Sequence, residues 1–478
     1  MVSKILIYSP FCMTSRLLLE TPIAHYLSKA KEVKIIFTSP FPEDEHVINN
    51  LGCGHFEWIK APIANGNQHL LKKDNFLLFY KNRLWRILLK VLGKTLEYSS
   101  LAYRFNHLKG FRSHQFKVRM KKVRRMIESK LAGNYVEPEM GTPFPSSHLL
   151  YKLLYLIYHS KWNWHEDIER FIDLQSPDLF VAVHLQHPQL APIMACVRRK
   201  KIKSIGVISS WDQLTTKGPL PPGISLYLVQ SEIMKNEIHE YHRVDLNKVC
   251  VSGWPTMDIY HRKDFHLTKS DFLSKLGLPA NAAIALYTTN GERLGPHEPN
   301  IAEKLAKRFD QNLFGEDVFF IVRPHPIDSR WDLRFGKIKQ FKNCLLLPAE
   351  NGNLQFFYNL LIHSNVVIAS TTSASIDALA VNTPVVSVVF DGDLKLDHYE
   401  KTERWFEMEH YRPIMKTNST LKARDHSELY KAIEDYLHNP KLHDLDRKLL
   451  RDLLLAPFDG NASFRIVQCI VNSIAEKL

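Results

Sequence analysis

Short apolar runs rich in β-branched residues recur along most of the chain and alternate with stretches whose apolar positions fall at helical spacing. KILIY, an amphipathic stretch from Leu17 to Ala30 and VKIIF open the series. LFVAV from Leu179, a helical stretch from Leu190 to Arg199, IGVI from Ile205, LYLV from Leu226, a helical stretch from Glu232 to Tyr241 and KVCVS continue it. Runs of four to six apolar residues with no polar alternation suit strands buried on both faces, the pattern of a parallel sheet with crossover helices. These units predict one doubly wound α/β half.

After Gly253-Trp254-Pro255 the composition turns polar (HRKDFHLTKSD), which predicts a linker. A second alternating series then runs through IALYTT, VFFIV, CLLLP, VVIAS and VVSVVF and ends in helical stretches from Ser427 and Ala462. At 478 residues the chain exceeds what one hydrophobic core usually serves, so two domains are expected. The predicted architecture is α/β with two Rossmann-like domains facing a central cleft. Residues 1–265 form an acceptor-side domain and residues 266–478 a nucleotide-donor domain, whose last helix packs back on the first.

Charge interrupts this alternation at one place. Residues 81–130 hold fifteen Lys or Arg against two acids, so the whole formal net charge of +13 is concentrated there. Helical spacing sets Arg83, Arg86, Lys90 and Lys94 opposite Leu84, Trp85, Leu88 and Leu92, and gives Phe116, Met120, Val123 and Ile127 a common stripe. A basic helical insertion at about 76–131 is expected. It suits peripheral contact with an anionic membrane, or serves as a solvated surface of its own domain. No reader motif for nucleic acid accompanies the charge. Six scattered cysteines fit reduced thiols, no apolar run approaches membrane-spanning length, and no secretory segment is readable. A cytoplasmic enzyme, peripheral on the inner membrane face, is the expectation.

The chemistry concentrates where strands end. Arg323-Pro324-His325-Pro326 follows VFFIV, and an Arg fork with an imidazole on a proline-stiffened loop suits phosphate oxygens. Ser370, Thr371, Thr372 and Ser373 follow VVIA and lead to Asp377, and hydroxyls where a strand turns into a helix make an anion site or a plain N-cap. Gly253 after KVCVS, and Thr289 and Asn290 after IALY, are further donor-side candidates. In the first half His184 and His187 follow LFVAV, and Asp212 and Lys217 lie in the loop after IGVISS. His187 and Asp212 are the candidates for a base that takes a proton from an acceptor hydroxyl. Thr14, Ser15 and Arg16, with Lys217, are acceptor-side candidates. His184 and His187 lack a readable third metal ligand.

VCVSGWPTMDIY, RPHP, STTSASIDALAVNTPVVSV and DGNASFRI together resemble the GT-B glycosyltransferases. The nearest resemblance is to bacterial surface-polysaccharide transferases: CDP-glycerol glycerophosphotransferases and the sialyltransferases with HP and S/T motifs. WDQLTTKG is similar to a WDNLTSKG-type loop of related transferases. The resemblance covers roughly residues 165–475. It implies inverting, metal-independent transfer of a glycosyl or alditol-phosphate group from a nucleotide-activated donor to a cell-surface glycan or lipid-linked acceptor, with no cofactor. It also implies that His325 contacts the donor phosphate, that Ser370 to Ser373 hold phosphate or ribose, and that Asp377 supports their loop. UDP-N-acetylglucosamine 2-epimerases resemble the GWPTMD and DGNASFRI segments, so a sugar-nucleotide 2-epimerase is the alternative enzyme. A non-catalytic basic binding protein for membrane or nucleic acid is the alternative outside enzymes. Asp391-Gly392-Asp393 imitates the DxD clamp of metal-dependent sugar transferases but follows the fifth strand of the second half, where such a clamp has no place.

Overall fold

The computed structural model describes residues 2–10, 12–61, 166–187, 189–217, 220–292, 294–349, 353–396 and 401–475. The basic insertion expected at about 76–131 lies outside them. The chain forms two compact units, Met1–Ser252 with Ser463–Leu478, and Gly253–Ala462.

The first unit is built on a seven-stranded sheet of order β3-β2-β1-β4-β5-β6-β7, every described pairing parallel. Its strands are β1 (Ser3–Tyr8), β2 (Val33–Ser39), β3 (Phe56–Lys60), β4 (Leu179–Val183), β5 (Lys203–Val207), β6 (Leu226–Val229) and β7 (Val249–Val251). Successive side chains of a strand point to opposite faces, and both faces are covered. Ile5, Ile7, Ile35, Phe37, Val181 and Val183 pack on one side with Ile23, Leu27, Ile466 and Ile470. Leu6, Tyr8, Phe180 and Ala182 pack on the other with Leu190, Met194 and Val197. The closing helix Ala462–Ala475 thus belongs to the core of the first unit.

The second unit carries a six-stranded parallel sheet of order β10-β9-β8-β11-β12-β13. Its strands are β8 (Ala283–Thr288), β9 (Val318–Arg323), β10 (Cys344–Leu346), β11 (Val366–Ala369), β12 (Val385–Val388) and β13 (Leu421–Ala423). Ala285, Tyr287, Phe320, Val322 and Ile368 face one core, and Ile284, Leu286, Ile321, Val367 and Ala369 the other. In both sheets the strand order reverses beside the first strand of the unit, the place where doubly wound folds bind ligands beyond the carboxyl ends.

Several sequence expectations are corrected. The stretch from Leu17 to Ala30 is not one helix: Cys12–Leu19 ends, and Pro22–Lys29 begins anew with Pro22 in its first turn and Thr21 Oγ1 accepting the Ile23 N–H at 3.4 Å. Strands β3 and β13 and the helix Asp444–Leu455 are additional. Both strands are sheet edges, where one side stays wet and FEWIK or LKA loses the all-apolar signature. The domain break falls at Ser252, not at 265. The polar run folds as 3₁₀ turns Pro255–His261 and Lys263–Phe265 and a helix Lys269–Lys275 within the second unit. Buried Asn359 fastens it, accepting the Leu267 N–H at 2.8 Å and donating to the Phe265 carbonyl at 2.7 Å.

The GWPTMD and DGNAS segments meet in the second unit. Buried Asp258 accepts the Ala462 N–H at 3.0 Å, satisfying a first-turn donor of the closing helix. Gly460 has φ +74°, and a Cβ there would lie 2.8 Å from His261 Cβ, so glycine is required. Asp258→Ala strands this buried N–H, and a loss of about 1–3 kcal/mol is expected. Thermal melts of the full chain should show it, with Asp258→Asn, which keeps an acceptor, recovering most of the loss.

Candidate functional site

In the second unit three loops leave the carboxyl ends of neighbouring strands β9, β8 and β11. Strands lie about 4.8 Å apart, so the loops span roughly 10 Å, the scale of a diphosphate with its attached groups. The strand ends they leave are joined to one another: the Thr289 N–H donates to the Arg323 carbonyl at 3.1 Å, and Thr288 Oγ1 donates to the Ile368 carbonyl at 3.4 Å. A Cβ on Gly291 would meet the Ile327 side chain at 3.4 Å, so the β8 loop packs against the end of the RPHP loop.

Arg323 lies with its guanidinium carbon 4.1 Å from the Phe357 ring centroid, a stack that orients its donors. His325 is half-buried between buried Pro324 and half-buried Pro326. Its Nδ1 accepts the Ile327 N–H at 3.2 Å, which in the neutral ring puts the proton on Nε2 and makes that atom a hydrogen-bond donor. The neighbouring Asp328 is buried in an ion pair with Arg334, whose guanidinium also donates to the Asn290 carbonyl at 3.4 Å.

The four hydroxyls after β11 divide into two kinds. Ser370 is buried and donates to the Val388 carbonyl at 3.3 Å; Thr372 is buried and its Oγ1 accepts the Ala374 N–H at 3.3 Å. Thr371 is half-buried and Ser373 exposed, so these two are the accessible hydroxyls of the loop. Asp377 accepts a hydrogen bond from Tyr260 Oη at 2.7 Å. Burial pushes its carboxyl up to about 6, opposed by Tyr260 and by the charge of Arg323. Tyr260, from the GWPTMDIY segment, has no signal in the sequence beyond its place in that motif.

The helix Glu298–Asp310, which follows the β8 loop, opens on a residue with no motif to announce it. Glu298 is fully buried and accepts from Asn290 N at 2.8 Å and Asn290 Nδ2 at 3.1 Å. Burial pushes its carboxyl up to about 8, against Asn290 and Arg334. Asn290 is therefore bonded inward rather than presented for a donor. Thr289, also buried, keeps a hydroxyl with no hydrogen-bond partner. Gly253, with φ +87°, forms the turn at which the chain passes from β7 into the second unit.

In the first unit the loops after β4 and β5 are tied by one hydrogen-bond chain. Gln213 is fully buried, and its Oε1 accepts from Ser209 N at 2.8 Å and Ser209 Oγ at 3.0 Å. With the Ser209 proton committed there, His184 Nδ1, 3.2 Å from Ser209 Oγ, is the donor of that pair, and His184 Nε2 carries a lone pair. His187 is set the other way: its Nδ1 accepts the Gln189 N–H at 3.4 Å, so Nε2 is protonated in the neutral ring. The backbone of His184 sits in the left-handed region at φ +60°.

Asp212 is engaged by its own loop. Ser210 Oγ donates to it, Thr216 Oγ1 donates at 2.9 Å, and Lys217 Nζ lies 3.6 Å away. The residues after β1 also turn inward. Thr14 Oγ1 and Ser9 Oγ are 2.7 Å apart, Ser15 Oγ donates to buried Asp44 at 2.8 Å, and Arg16 pairs with Glu20 at 2.9 Å. Ser39 also donates to Asp44, at 2.6 Å. Asp391 accepts from Thr402, and Asp393 pairs with Lys304 at 2.6 Å, so both acids of the DGD sequence are held by side chains. Among the described residues no group of three His, Cys, Asp or Glu is arranged to hold a metal ion, and no described helix is long and apolar enough to cross a membrane.

Two Rossmann-like sheets in one chain, each with polar loops at its carboxyl edge, make the GT-B fold. Solved structures share the fold: the S. aureus MnaA–UDP co-structure (12% identity, 98% of this chain and 96% of that one, TM-score 0.54) and the UDP-GlcNAc 2-epimerase from Neisseria meningitidis bound to UDP-GlcNAc (13%, 98% and 100%, 0.55). A glycosyltransferase from Rickettsia africae ESF-5 (12%, 100% and 99%, 0.52) shares it too. The model of the family CDP-Glycerol:Poly(glycerophosphate) glycerophosphotransferase matches residues 207–472, more than half of the chain. The chain belongs to that family and is a transferase using a nucleotide-activated donor. No curated protein matches it in sequence.

The histidine pair makes a pH prediction. Burial lowers both rings to about 4, for His184 with help from His187 and Lys217, whereas an unfolded histidine titrates near 6.5. As pH falls the unfolded chain takes up these protons first, so stability is full above about pH 6.5 and is lost as pH falls towards 4. Melting temperatures measured from pH 7 to pH 5 should fall less steeply in a His184→Gln, His187→Gln double variant than in the wild type.

Proposed function

We propose that the protein transfers a glycerol-phosphate unit from CDP-glycerol to a hydroxyl of a cell-surface polysaccharide or lipid-linked acceptor. The observation that carries this reading is the junction of the β9, β8 and β11 loops at the strand reversal of the second unit, in a chain of the glycerophosphotransferase family. His325 Nε2–H and the Arg323 guanidinium bind the donor phosphates, and the accessible hydroxyls of Thr371 and Ser373 bind phosphate or ribose. Asp377 sets the Arg323 side of the loop through its charge and its bond to Tyr260.

In the proposed reaction the acceptor oxygen attacks the glycerol-bearing phosphorus. A new P–O bond forms, the bond from that phosphorus to the bridging oxygen breaks, and CMP leaves. A general base takes the proton of the acceptor hydroxyl, the role for which the sequence pattern offers His187 or Asp212. Positive charge and N–H donors at the leaving phosphate perform the task a divalent ion performs elsewhere. The reading includes a peripheral membrane acceptor reached with the help of residues 81–130, whose charge suits anionic headgroups.

His325→Ala should reduce kcat/KM for CMP release from CDP-glycerol by roughly 10²–10³-fold, the usual cost of one such donor, while the melting temperature stays close to wild type. Undiminished turnover in that variant would remove the assigned phosphate site. Chelator should leave wild-type activity unchanged. CDP-glycerol should raise the melting temperature, because a ligand that binds only the folded state stabilises it. Conversion of UDP-GlcNAc without any acceptor is the result that would make the chain an epimerase.

A further inference from the structure

The closing helix and strand β7 each carry a cysteine at their contact. Cys250 Sγ and Cys469 Sγ are 3.6 Å apart, and both side chains are partly exposed free thiols. Strand and helix are held together on either side of this pair. Arg465, one helical turn before Cys469, donates from Nε to the Ser252 carbonyl at 2.8 Å, while Ile466 and Ile470 are buried in the sheet core. The contact persists as a consequence of packing that the sulfurs do not themselves provide.

We propose that Cys250 and Cys469 form a redox-modification site, at which a hydroperoxide converts the two thiols into a reversible disulfide. Disulfide sulfurs lie about 2.05 Å apart, so the pair closes by side-chain rotation and a small shift of helix against strand. Oxidation proceeds in two balanced steps. The Cys250 thiolate attacks one peroxide oxygen; the O–O bond breaks, the second oxygen takes a proton and leaves as water from hydrogen peroxide or as the alcohol from an organic hydroperoxide, and Cys250 becomes a sulfenic acid. Cys469 then attacks that sulfur; the S–S bond forms, the S–O bond breaks, and the hydroxide leaves as water with the Cys469 proton. Two thiols lose two electrons and one hydroperoxide gains them. An external dithiol reverses the change by exchange.

The local electrostatics give the pair an order of attack. The hydrogen bond from Cys469 first, and then the charges of Arg465 and Lys235, hold the Cys250 thiol below the usual thiol range, while the same contact and burial push Cys469 up. Cys250 is the nucleophile and Cys469 the resolving thiol. Other cysteines differ: burial pushes Cys344 up to about 12 and raises buried Cys196. The bridge also has a particular place in the chain. Its cysteines are 219 positions apart and flank both passages between the units, at Ser252–Gly253 and Ala462–Ser463, so the closed loop contains the entire second unit. Long loops gain most from closure in the chain-entropy account.

The test treats the full-length protein with hydrogen peroxide, alkylates the remaining thiols and maps peptides by mass. The expected result is a cross-linked peptide pair containing Cys250 and Cys469, two hydrogens lighter than the separate peptides and released by dithiothreitol, with Cys196 and Cys344 alkylated only after unfolding. In Cys469→Ser a dimedone probe should label Cys250 at least 10-fold faster than Cys344. Should Cys469→Ser fail to fold, Cys469→Ala serves the same measurement. The oxidised wild type should melt several degrees above the reduced form. A peroxide-treated protein in which both thiols remain alkylatable, or in which Cys250 passes to sulfinic acid with no cross-link, overturns the proposal.

Discussion

Everything chemical in this protein depends on sheets of parallel strands that must be buried on both faces. A parallel strand needs a crossover to reach its neighbour, so every strand of a sheet ends on the same edge, and every connection leaving that edge is free to carry chemistry. The residues along the strands are spent on two cores, odd positions on one and even positions on the other. Polar chemistry is thereby confined to the ends, and the reversal of strand order beside β1 and beside β8 opens one place on each edge where neighbouring loops diverge.

At those ends most polar groups hold the loops to one another rather than to a ligand. Ser370, Thr372, Asn290, Thr14 and Ser15 donate or accept within the protein, as buried polar groups must. The same scaffold orients His325 with its proton on Nε2, His184 with its proton on Nδ1, and Arg323 stacked on Phe357. Opposite tautomers on the two units follow from ordinary donors and acceptors, an Ile327 N–H in one case and a Ser209 hydroxyl committed to Gln213 in the other. Glu298 plays the same supporting part for Asn290, and its burial cost is part of holding that loop.

The closing helix joins the sequence motifs to this frame. Asp258 from GWPTMD meets the helix at its first turn, Arg465 from DGNASFRI holds the Ser252 carbonyl, and the apolar side of the helix completes the core of the first unit. These motifs are resemblance features of a transferase, and here they are also the joints of the chain where it passes between units.

Most of the buried strands, the two α/β halves and the loops RPHP, TTNGE and STTS at strand ends are legible in the sequence, because all-apolar runs and strand-end polar clusters are local patterns. The edge strands FEWIK and LKA are not, since a strand wet on one side looks like a turn or a helix surface. The break at Ser252 is equally hidden, because the polar run after it folds onto Asn359, more than ninety positions away in the case of Leu267. The ring tautomer of His184 was beyond any pattern: it rests on a proton that Gln213 draws from Ser209, which only the three-dimensional hydrogen-bond chain reveals. By itself the sequence determined most of the buried strands and the polar loops that follow them, since burial on two faces writes itself into composition. Only the tertiary structure decided which polar atoms pair with which, because that depends on partners brought together from distant strands.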